Sequence, residues 1–252
     1  MIIALMAMWC AVGQTVAAEL TVAAAADLKF AMDELVTEFQ ANQPGTTVKV
    51  AYGSSGNFFA QLQNRAPFDL FFSADIEYPR RLAADGLALH SNVFRYAVGH
   101  LVVWMPKSSA VDVEKLGLKA LLAPEVKKIA IANPKHAPYG RAAVAALNSL
   151  KVYDQVEARL VLGENIAQTA QFAQSGAADA GVLSLSLALS PAMRDAGRYW
   201  PVPLDACPPL EQGGLILNWT KDAPAATAFR DFVLGEHGRA VLRRHGFTCP
   251  EK

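Results

Sequence analysis

The feature that most constrains this chain is a repeated alternation of short apolar strands with amphipathic helices. The segments "ELTVAAA" (19–25) and "TTVKVAY" (46–52) read as strands, and the residues between them carry apolar side chains at helical spacing. A helix through Phe58 and Leu62 and a buried strand, "FDLFFSAD" (68–75), follow. This βαβαβ series predicts parallel strands with helices on both faces of the sheet.

The rest of the chain continues the alternation of strands and helices. Further strands are predicted over 96–106, 127–134, 157–163, 177–186, 198–205 and 213–219, with helices over 139–150, 165–175 and 224–247, the last broken near Gly235. Two α/β sets are followed by one more strand and a final helix. This order indicates that the chain builds the first domain, crosses to the second and returns to complete the first. We therefore predict an α/β protein of two domains, each a mostly parallel sheet flanked by helices. Domain I takes residues 19–96 plus 206–252, domain II takes 97–205, and a ligand cleft lies between them.

Composition excludes some classes of partner. The 252 residues carry 23 Lys plus Arg and 23 Asp plus Glu, so the formal net charge is zero. A neutral chain without a basic excess does not suit a nucleic-acid partner. The hydrophobic fraction of 52% is enough for a substantial core and argues against disorder.

The first 18 residues, "MIIALMAMWCAVGQTVAA", are uncharged and end in small residues. This pattern predicts a signal peptide cleaved before Glu19, and hence export to the periplasm. The basic segment that usually begins such a peptide is missing, and a buried first strand or helix is the alternative. A lipid anchor on Cys10 is disfavoured because Trp9 is bulky for that motif.

Without the signal peptide only Cys207 and Cys249 remain. Two cysteines in an exported protein predict a disulfide, with two unpaired thiols as the alternative. The scattered His and Cys residues show no metal-ligand spacing, so we expect no bound metal cation.

Four strand-to-helix junctions share one chemistry, since small or hydroxyl residues open each helix. They are "AAAADLKF" (23–30), "GSSGN" (53–57), "NPKHAPYGRAA" (133–143) and "GENIAQT" (163–169). The first amides of a helix lack intrahelical partners, and the helix dipole favours negative charge there. Ordinary capping is the alternative for each junction, because Asp27, Ser54 and Asn165 are preferred N-cap residues. Together the junctions predict an anion site without cationic side chains.

Enzyme functions find less support. The "GSSGN" loop lacks the Lys of a phosphate-binding P-loop. Ser54 in "YGSSG" is only loosely similar to a nucleophile elbow, and a triad with His136 and Asp75 is not demanded by the spacing. We predict that the chain is not an enzyme and keep an exported serine hydrolase as an alternative.

The runs "ELTVAAAADLKFAMDELVTEFQ", "YGSSGNFFAQLQNRAPFDLFFSAD", "ANPKHAPYGRAAVAAL" and "GENIAQTAQFAQSGAADAGVLSLS" resemble the periplasmic molybdate-binding proteins of bacterial ABC uptake systems. The resemblance extends over nearly all of the chain after residue 18. It implies a monomeric, two-domain solute-binding protein that captures molybdate, and tungstate as well, for a membrane permease, without a cofactor. A receptor for another oxyanion or solute, such as sulfate, is the alternative.

In that family neutral donors hold the oxyanion. Carried onto this chain, the resemblance implies a ligand set of Ala26, Asp27, Ser54, Tyr139, Ile166 and Ser184. Many relatives have Ser where this chain has Asp27, so we expect Asp27 to cap its own helix and offer only its main-chain N–H. Some relatives donate a Tyr hydroxyl near the position of Ser184, and we expect Tyr139 to supply the phenol here.

Overall fold

The computed structural model describes residues 18–89 and 93–250. The strands are β1 (Ala18–Ala25), β2 (Thr46–Gly53), β3 (Leu70–Ser73), β4 (Phe94–Gly99), β5 (Leu101–Pro106), β6 (Ile129–Ala132), β7 (Leu160–Gly163), β8 (Ala180–Ser184), β9 (Gly197–Pro201) and β10 (Leu210–Ile216). The helices are α1 (Lys29–Asn42), α2 (Ser55–Gln63), α3 (Glu77–Ala84), α4 (Val113–Leu116), α5 (Pro138–Ser149), α6 (Tyr153–Val156), α7 (Ile166–Gln174), α8 (Leu185–Ala188), α9 (Ala223–Leu234) and α10 (Glu236–Arg244). Short 3-10 helices cover Ala26–Leu28, Gly117–Leu122 and Glu157–Arg159.

The strands form two five-stranded sheets, in the orders β2-β1-β3-β10-β4 and β7-β6-β8-β5-β9. We call the parts of the molecule built on them lobe 1 and lobe 2. Strand β1 pairs in parallel with β2 and β3, and β6 pairs in parallel with β7 and β8. Strand β10 pairs antiparallel with β3 and β4, and β5 pairs antiparallel with β8 and β9. The predicted α/β class and two-sheet architecture are confirmed, and the sheets are mixed.

The chain passes between the sheets twice, at His100 and again after β9. The single strand expected over 96–106 was therefore wrong, because its first half pairs with β10 and its second half with β8 and β9. The break expected near Gly235 is confirmed, since α9 ends at Leu234 and α10 begins at Glu236.

Both faces of the lobe 1 sheet are covered by apolar side chains. Neighbouring residues of β3 project to opposite faces, so Phe72 packs edge-on against Phe229 of α9 while Phe71 packs against Phe58 of α2. This double burial accounts for the uninterrupted apolar sequence of β3. The core of lobe 2 extends to Ala26 and Ala74 of lobe 1, so the two lobes are packed together along the cleft.

The expected disulfide is not present, because Cys207 and Cys249 are free thiols. Cys207 packs against the core of lobe 2 and Cys249 against that of lobe 1, where its Sγ lies 3.5 Å from the carbonyl oxygen of Arg239. Partial burial raises the pKa of both thiols. Of the predicted signal peptide, residues 1–17 lie outside the described residues. Among the helices of the described chain, none has the length and apolar character needed to cross a membrane.

Candidate functional site

The four predicted junctions meet at one place. Strands β1 and β2 of lobe 1 and β6 and β7 of lobe 2 all end at the cleft, because the carboxyl ends of parallel strands lie at the same edge of a sheet. A small cavity, with about 200 Å³ of non-atom space that includes open solvent, lies between these ends. None of the described residues that line it is Lys or Arg.

Five of the six predicted ligand residues line this cavity, namely Ala26, Asp27, Ser54, Tyr139 and Ile166. Ser184 is not among the lining residues. Its Oγ accepts the N–H of Leu187 at the start of α8 and lies 3.1 Å from the hydroxyl of Ser186. Ser184 therefore makes a capping contact, and its link to the cavity runs through Ser186, whose hydroxyl contacts the Asp27 carbonyl oxygen.

Helix N-termini supply main-chain donors. Ser55 is the first residue of α2, Ile166 is the first of α7, and Tyr139 follows Pro138, the first residue of α5. Amides at these positions have no partner within their own helix. Asn165 caps α7 by accepting from the N–H groups of Ala167 and Gln168 at 2.9 and 3.0 Å, and this contact leaves the N–H of Ile166 to other partners.

The side chain of Asp27 does not behave as expected. It makes no cap hydrogen bond to the helix that it opens. Instead its Oδ2 accepts from the Tyr139 hydroxyl at 2.9 Å and from the Gln212 amide at 2.6 Å. The expectation of a local cap was wrong because partners from the other lobe and from β10 compete successfully for the carboxylate.

Burial governs the protonation of this group. Asp27 is 1% exposed, and the loss of hydration raises the pKa of its carboxyl from 3.8 to about 6. The donors Gln212 and Tyr139 act in the opposite direction and offset part of this shift. Burial likewise raises the pKa of the Tyr139 and Tyr96 phenols well above the usual value, so both stay protonated as donors.

Two of these partners were missed from the sequence. The Tyr96 hydroxyl contacts Oε1 of Gln212 at 2.8 Å, and this bond orients the amide nitrogen toward Asp27. A Cβ at Gly99 would lie 2.1 Å from the Tyr139 hydroxyl oxygen, so only glycine admits the phenol there. A Gln within the apolar strand "LEQGGLI" is the signal that could have pointed to a buried polar contact.

Ser54 contacts lobe 2 directly. Its Oγ lies 2.9 Å from Nδ1 of His136, and His136 Nε2 lies 3.6 Å from a carboxylate oxygen of Glu164. Asp75, considered as the acid of a triad, instead pairs with Arg141 at 2.5 Å. The structure thus brings a serine and a histidine together, with Glu164 as the nearby carboxylate.

A larger groove, with about 940 Å³ of space open to solvent, lies beside the cavity. Its charged pair, Asp75 and Arg141, is already satisfied internally, and Pro208, Pro209 and Leu210 make one wall apolar. The groove therefore suits a polar anion less well than the small cavity between the helix ends.

These observations define a two-lobed protein with a small cavity between two α/β sheets, the architecture of a solute-binding protein. The family model for bacterial extracellular solute-binding proteins matches residues 20–248. The molybdate-binding protein ModA of Azotobacter vinelandii is 37% identical over 231 residues, which cover 92% of this chain and 90% of the relative. ModA of Rhodobacter capsulatus is 35% identical, covering 81% of this chain and 78% of the relative.

Solved structures of solute-binding proteins have the same fold as this chain. The periplasmic molybdate-binding protein of Azotobacter vinelandii superimposes with a TM-score of 0.85 at 33% identity, covering 92% of this chain and 100% of that chain. The chain belongs to the bacterial extracellular solute-binding protein family, together with these molybdate-binding relatives, as its sequence resemblance predicted. A sulfate-binding protein of Mycobacterium tuberculosis has a TM-score of 0.73 at 15% identity, covering 93% of this chain and 88% of that chain, and shares the fold alone.

Proposed function

We propose that this protein captures molybdate, and tungstate with it, in the cavity between the lobes and delivers the anion to an ABC permease. The observation that carries the proposal is the meeting of four helix-opening junctions, two from each lobe, at one cavity without cationic side chains. The relatives that bind molybdate by name cover nearly the whole chain, which supports the same ligand.

The proposed ligand residues are Ala26, Asp27, Ser54, Tyr139 and Ile166. Ser54 contributes its hydroxyl, and Ile166 contributes its main-chain N–H at the start of α7. Burying a dianion without a counter-ion is costly unless several donors are fixed in advance. Each charge-assisted hydrogen bond contributes about 1.5–3 kcal/mol, so about six to eight such bonds offset that cost.

Closure of the lobes is the state that the permease would recognise. Several contacts already join the lobes in this structure. The N–H of Gly56 donates to the carbonyl of His136 at 2.9 Å, and the Asn57 amide donates to Glu164 at 2.6 Å. The Arg141–Asp75 pair adds a third link. An anion held by both lobes would strengthen this closed arrangement.

We place the protein in the periplasm as a monomer, and residues 1–18 act as its signal peptide. The resemblance to periplasmic receptors supports this location. Mass spectrometry of the protein exported by a bacterial host tests it, with a mature chain that begins at Glu19 as the expected result.

A thermal-shift screen tests the ligand class. Molybdate, tungstate, sulfate and phosphate are added separately to the purified protein, since a ligand that binds only the folded state raises the melting temperature. Molybdate and tungstate are expected to give the largest shifts. A shift with sulfate but none with molybdate would assign the site to a different oxyanion, which is the alternative within the same fold.

A second candidate is an exported hydrolase that uses Ser54 as nucleophile, which the 2.9 Å contact with His136 favours. Against it, Ser54 also caps α2 and the acid is 3.6 Å from His136, beyond hydrogen-bond reach. An ester panel with a Ser54→Ala control tests it. Hydrolysis that the substitution abolishes would replace the transport proposal, and inactivity throughout would remove the candidate.

A further inference from the structure

One carboxyl oxygen of Asp27 has no hydrogen bond of good geometry among the described residues, although the main-chain N–H groups of Asp27 and Leu28 act on the carboxyl and lower its pKa. Its Oδ2 accepts two hydrogen bonds, whereas Oδ1 is buried and has no partner among the described residues. A buried acceptor without a donor is costly, and the cost is larger when the group is charged. Asp27 lines the anion cavity, so the unpartnered oxygen lies on a residue of the site.

The groups packed around Asp27 offer no positive charge. Helix α5 presents the Tyr139 phenol, β4 presents Tyr96 and β10 presents the Gln212 amide. From α8 the hydroxyl of Ser186 contacts the Asp27 carbonyl oxygen at 2.8 Å. Helix α7 contacts the 3-10 helix that carries Asp27, and its buried side chains, among them Ile166, Thr169 and Ala170, are uncharged.

Charged or titratable residues on the flanking elements are engaged elsewhere. Lys29 of α1 pairs with Asp33, and His136 contacts Ser54 on the other side of the cavity. Arg141 of α5 pairs with Asp75. An ionised Asp27 would therefore face a bound dianion with no counter-charge between them.

We propose that Asp27 takes up one proton when the oxyanion binds, and that the protonated carboxyl donates a hydrogen bond from Oδ1 to the anion. This inference rests on the proposed function and specifies how the same site is controlled. The proton comes from solvent, and neither anion nor protein changes oxidation state. The neutral carboxyl then presents one donor and one acceptor, as an asparagine would, and the repulsion between carboxylate and dianion disappears.

The environment already favours this protonation before any anion arrives, since burial, partly offset by hydrogen bonds to the carboxyl, raises the pKa of Asp27 to about 6. A dianion beside the group raises the pKa further, because a nearby negative charge disfavours ionisation. Above about pH 6 the anion-free site is ionised, so binding must take up a proton. The affinity then falls as pH rises, by up to about tenfold per pH unit.

Isothermal titration calorimetry of the full chain with molybdate tests the inference. Titrations at about pH 6.5, 7.5 and 8.5, each in two buffers of different ionisation enthalpy, give affinity and proton uptake together. We expect uptake of about one proton at the highest pH and an affinity loss approaching about tenfold per unit. In Asp27→Asn we expect no proton uptake from this residue and an affinity that is nearly constant with pH.

Two variants separate Asp27 from other titrating groups. Asp33→Asn removes an exposed carboxylate on α1 and should keep the slope of the wild type. His136 is another titratable side chain near the cavity, through its contact with Ser54, so His136→Asn is needed as well, and it too should keep the slope of the wild type. A wild-type affinity that is constant with pH, or a slope that His136→Asn abolishes, would overturn the inference.

Titration with phosphate tests the opposite protonation state, because an ionised Oδ1 could accept a hydrogen bond from the O–H of hydrogen phosphate. Tight phosphate binding that Asp27→Asn abolishes would show that Asp27 binds as a carboxylate, contrary to the inference. If neither wild type nor variants bind any of these oxyanions, the proposed function itself fails, which is a different outcome from binding without a pH slope.

Discussion

At the scale of single residues, Asp27 shows how burial sets a chemical property. The folded protein holds this carboxyl among two phenols and an amide, and its pKa is about 6 instead of 3.8. Between about pH 4 and pH 6 the folded state keeps a proton that the unfolded chain has released. Stability from this residue is therefore present at low pH and is lost as pH rises through the folded pKa.

Asp27→Asn should stabilise the anion-free protein at neutral pH. The gain is at most about 3 kcal/mol, from a shift of about two pKa units at about 1.4 kcal/mol each, and it vanishes toward about pH 4. Opening of the cleft hydrates the group and makes the observed gain smaller. Urea denaturation of both proteins at several pH values measures it. A variant that is less stable than wild type at about pH 7 would contradict the assignment.

Ser54 and Ser184 form a matched pair for a second prediction, since both hydroxyls cap helices but only Ser54 lines the cavity. Ser54→Ala should weaken molybdate binding by about 1–3 kcal/mol, the value of one donor to a charged acceptor. Ser184→Ala should leave the affinity unchanged while lowering stability through its lost cap. Calorimetric titration measures the affinities, and equal losses in both variants would refute the distinction.

Much of the cavity lining was predictable from the sequence because it is local. Ser54, Tyr139 and Ile166 each follow a strand and open a helix, and short-range patterns identify such junctions. Gln212, which contacts Asp27, and Tyr96, which contacts Gln212, were not predictable, because β10 joins β3 and β4 only through pairing of segments far apart in the chain. The same long-range competition explains why Asp27 does not cap its own helix.

At the scale of elements, α7 depends on its first residues. Asn165→Ala removes an acceptor for two helix amides and should lower stability by about 0.5–2 kcal/mol. It should also weaken molybdate binding, because the Asn165 cap orients the first turn of α7, which carries the Ile166 N–H. Asp222→Ala is the control, as Asp222 caps α9 in a part of lobe 1 away from the cavity. Chemical denaturation and calorimetry should show a similar stability loss but an unchanged affinity for the control.

Element boundaries also show what periodicity cannot resolve. Residues 96–106 are almost continuously apolar, so the sequence predicts one strand across them. The structure divides them at His100 because each half is completed by strands from a different sheet. The position of such a crossing is set by packing between distant segments, and periodicity carries no information on it.

At the scale of the whole molecule, Gly56 limits how closely the lobes approach. A Cβ at this position would lie 2.5 Å from the carbonyl oxygen of His136 in the opposite lobe. Gly56→Ala should therefore hold the lobes apart and weaken molybdate binding by more than about tenfold, because the closed state becomes less populated. Within lobe 1 the added Cβ would meet the Tyr78 hydroxyl at 2.9 Å, which a small shift of that side chain relieves, and alanine has the higher helix propensity, so lobe 1 should keep most of its stability.

Small-angle X-ray scattering with and without molybdate provides the readout for Gly56→Ala. The wild type should contract on adding the anion, and the variant should not. Gly45→Ala is the control, because a Cβ at Gly45 meets no atom within 4 Å. Contraction of the Gly56 variant equal to that of the wild type would show that this contact does not limit closure.

The most direct test of the proposed function is calorimetric titration of the purified chain with molybdate and, separately, with sulfate. We expect about one molybdate per chain, bound at least about tenfold more tightly than sulfate, a difference of about 1.4 kcal/mol or more. Saturation by sulfate with no heat from molybdate would contradict it, because the cavity would then select a different oxyanion.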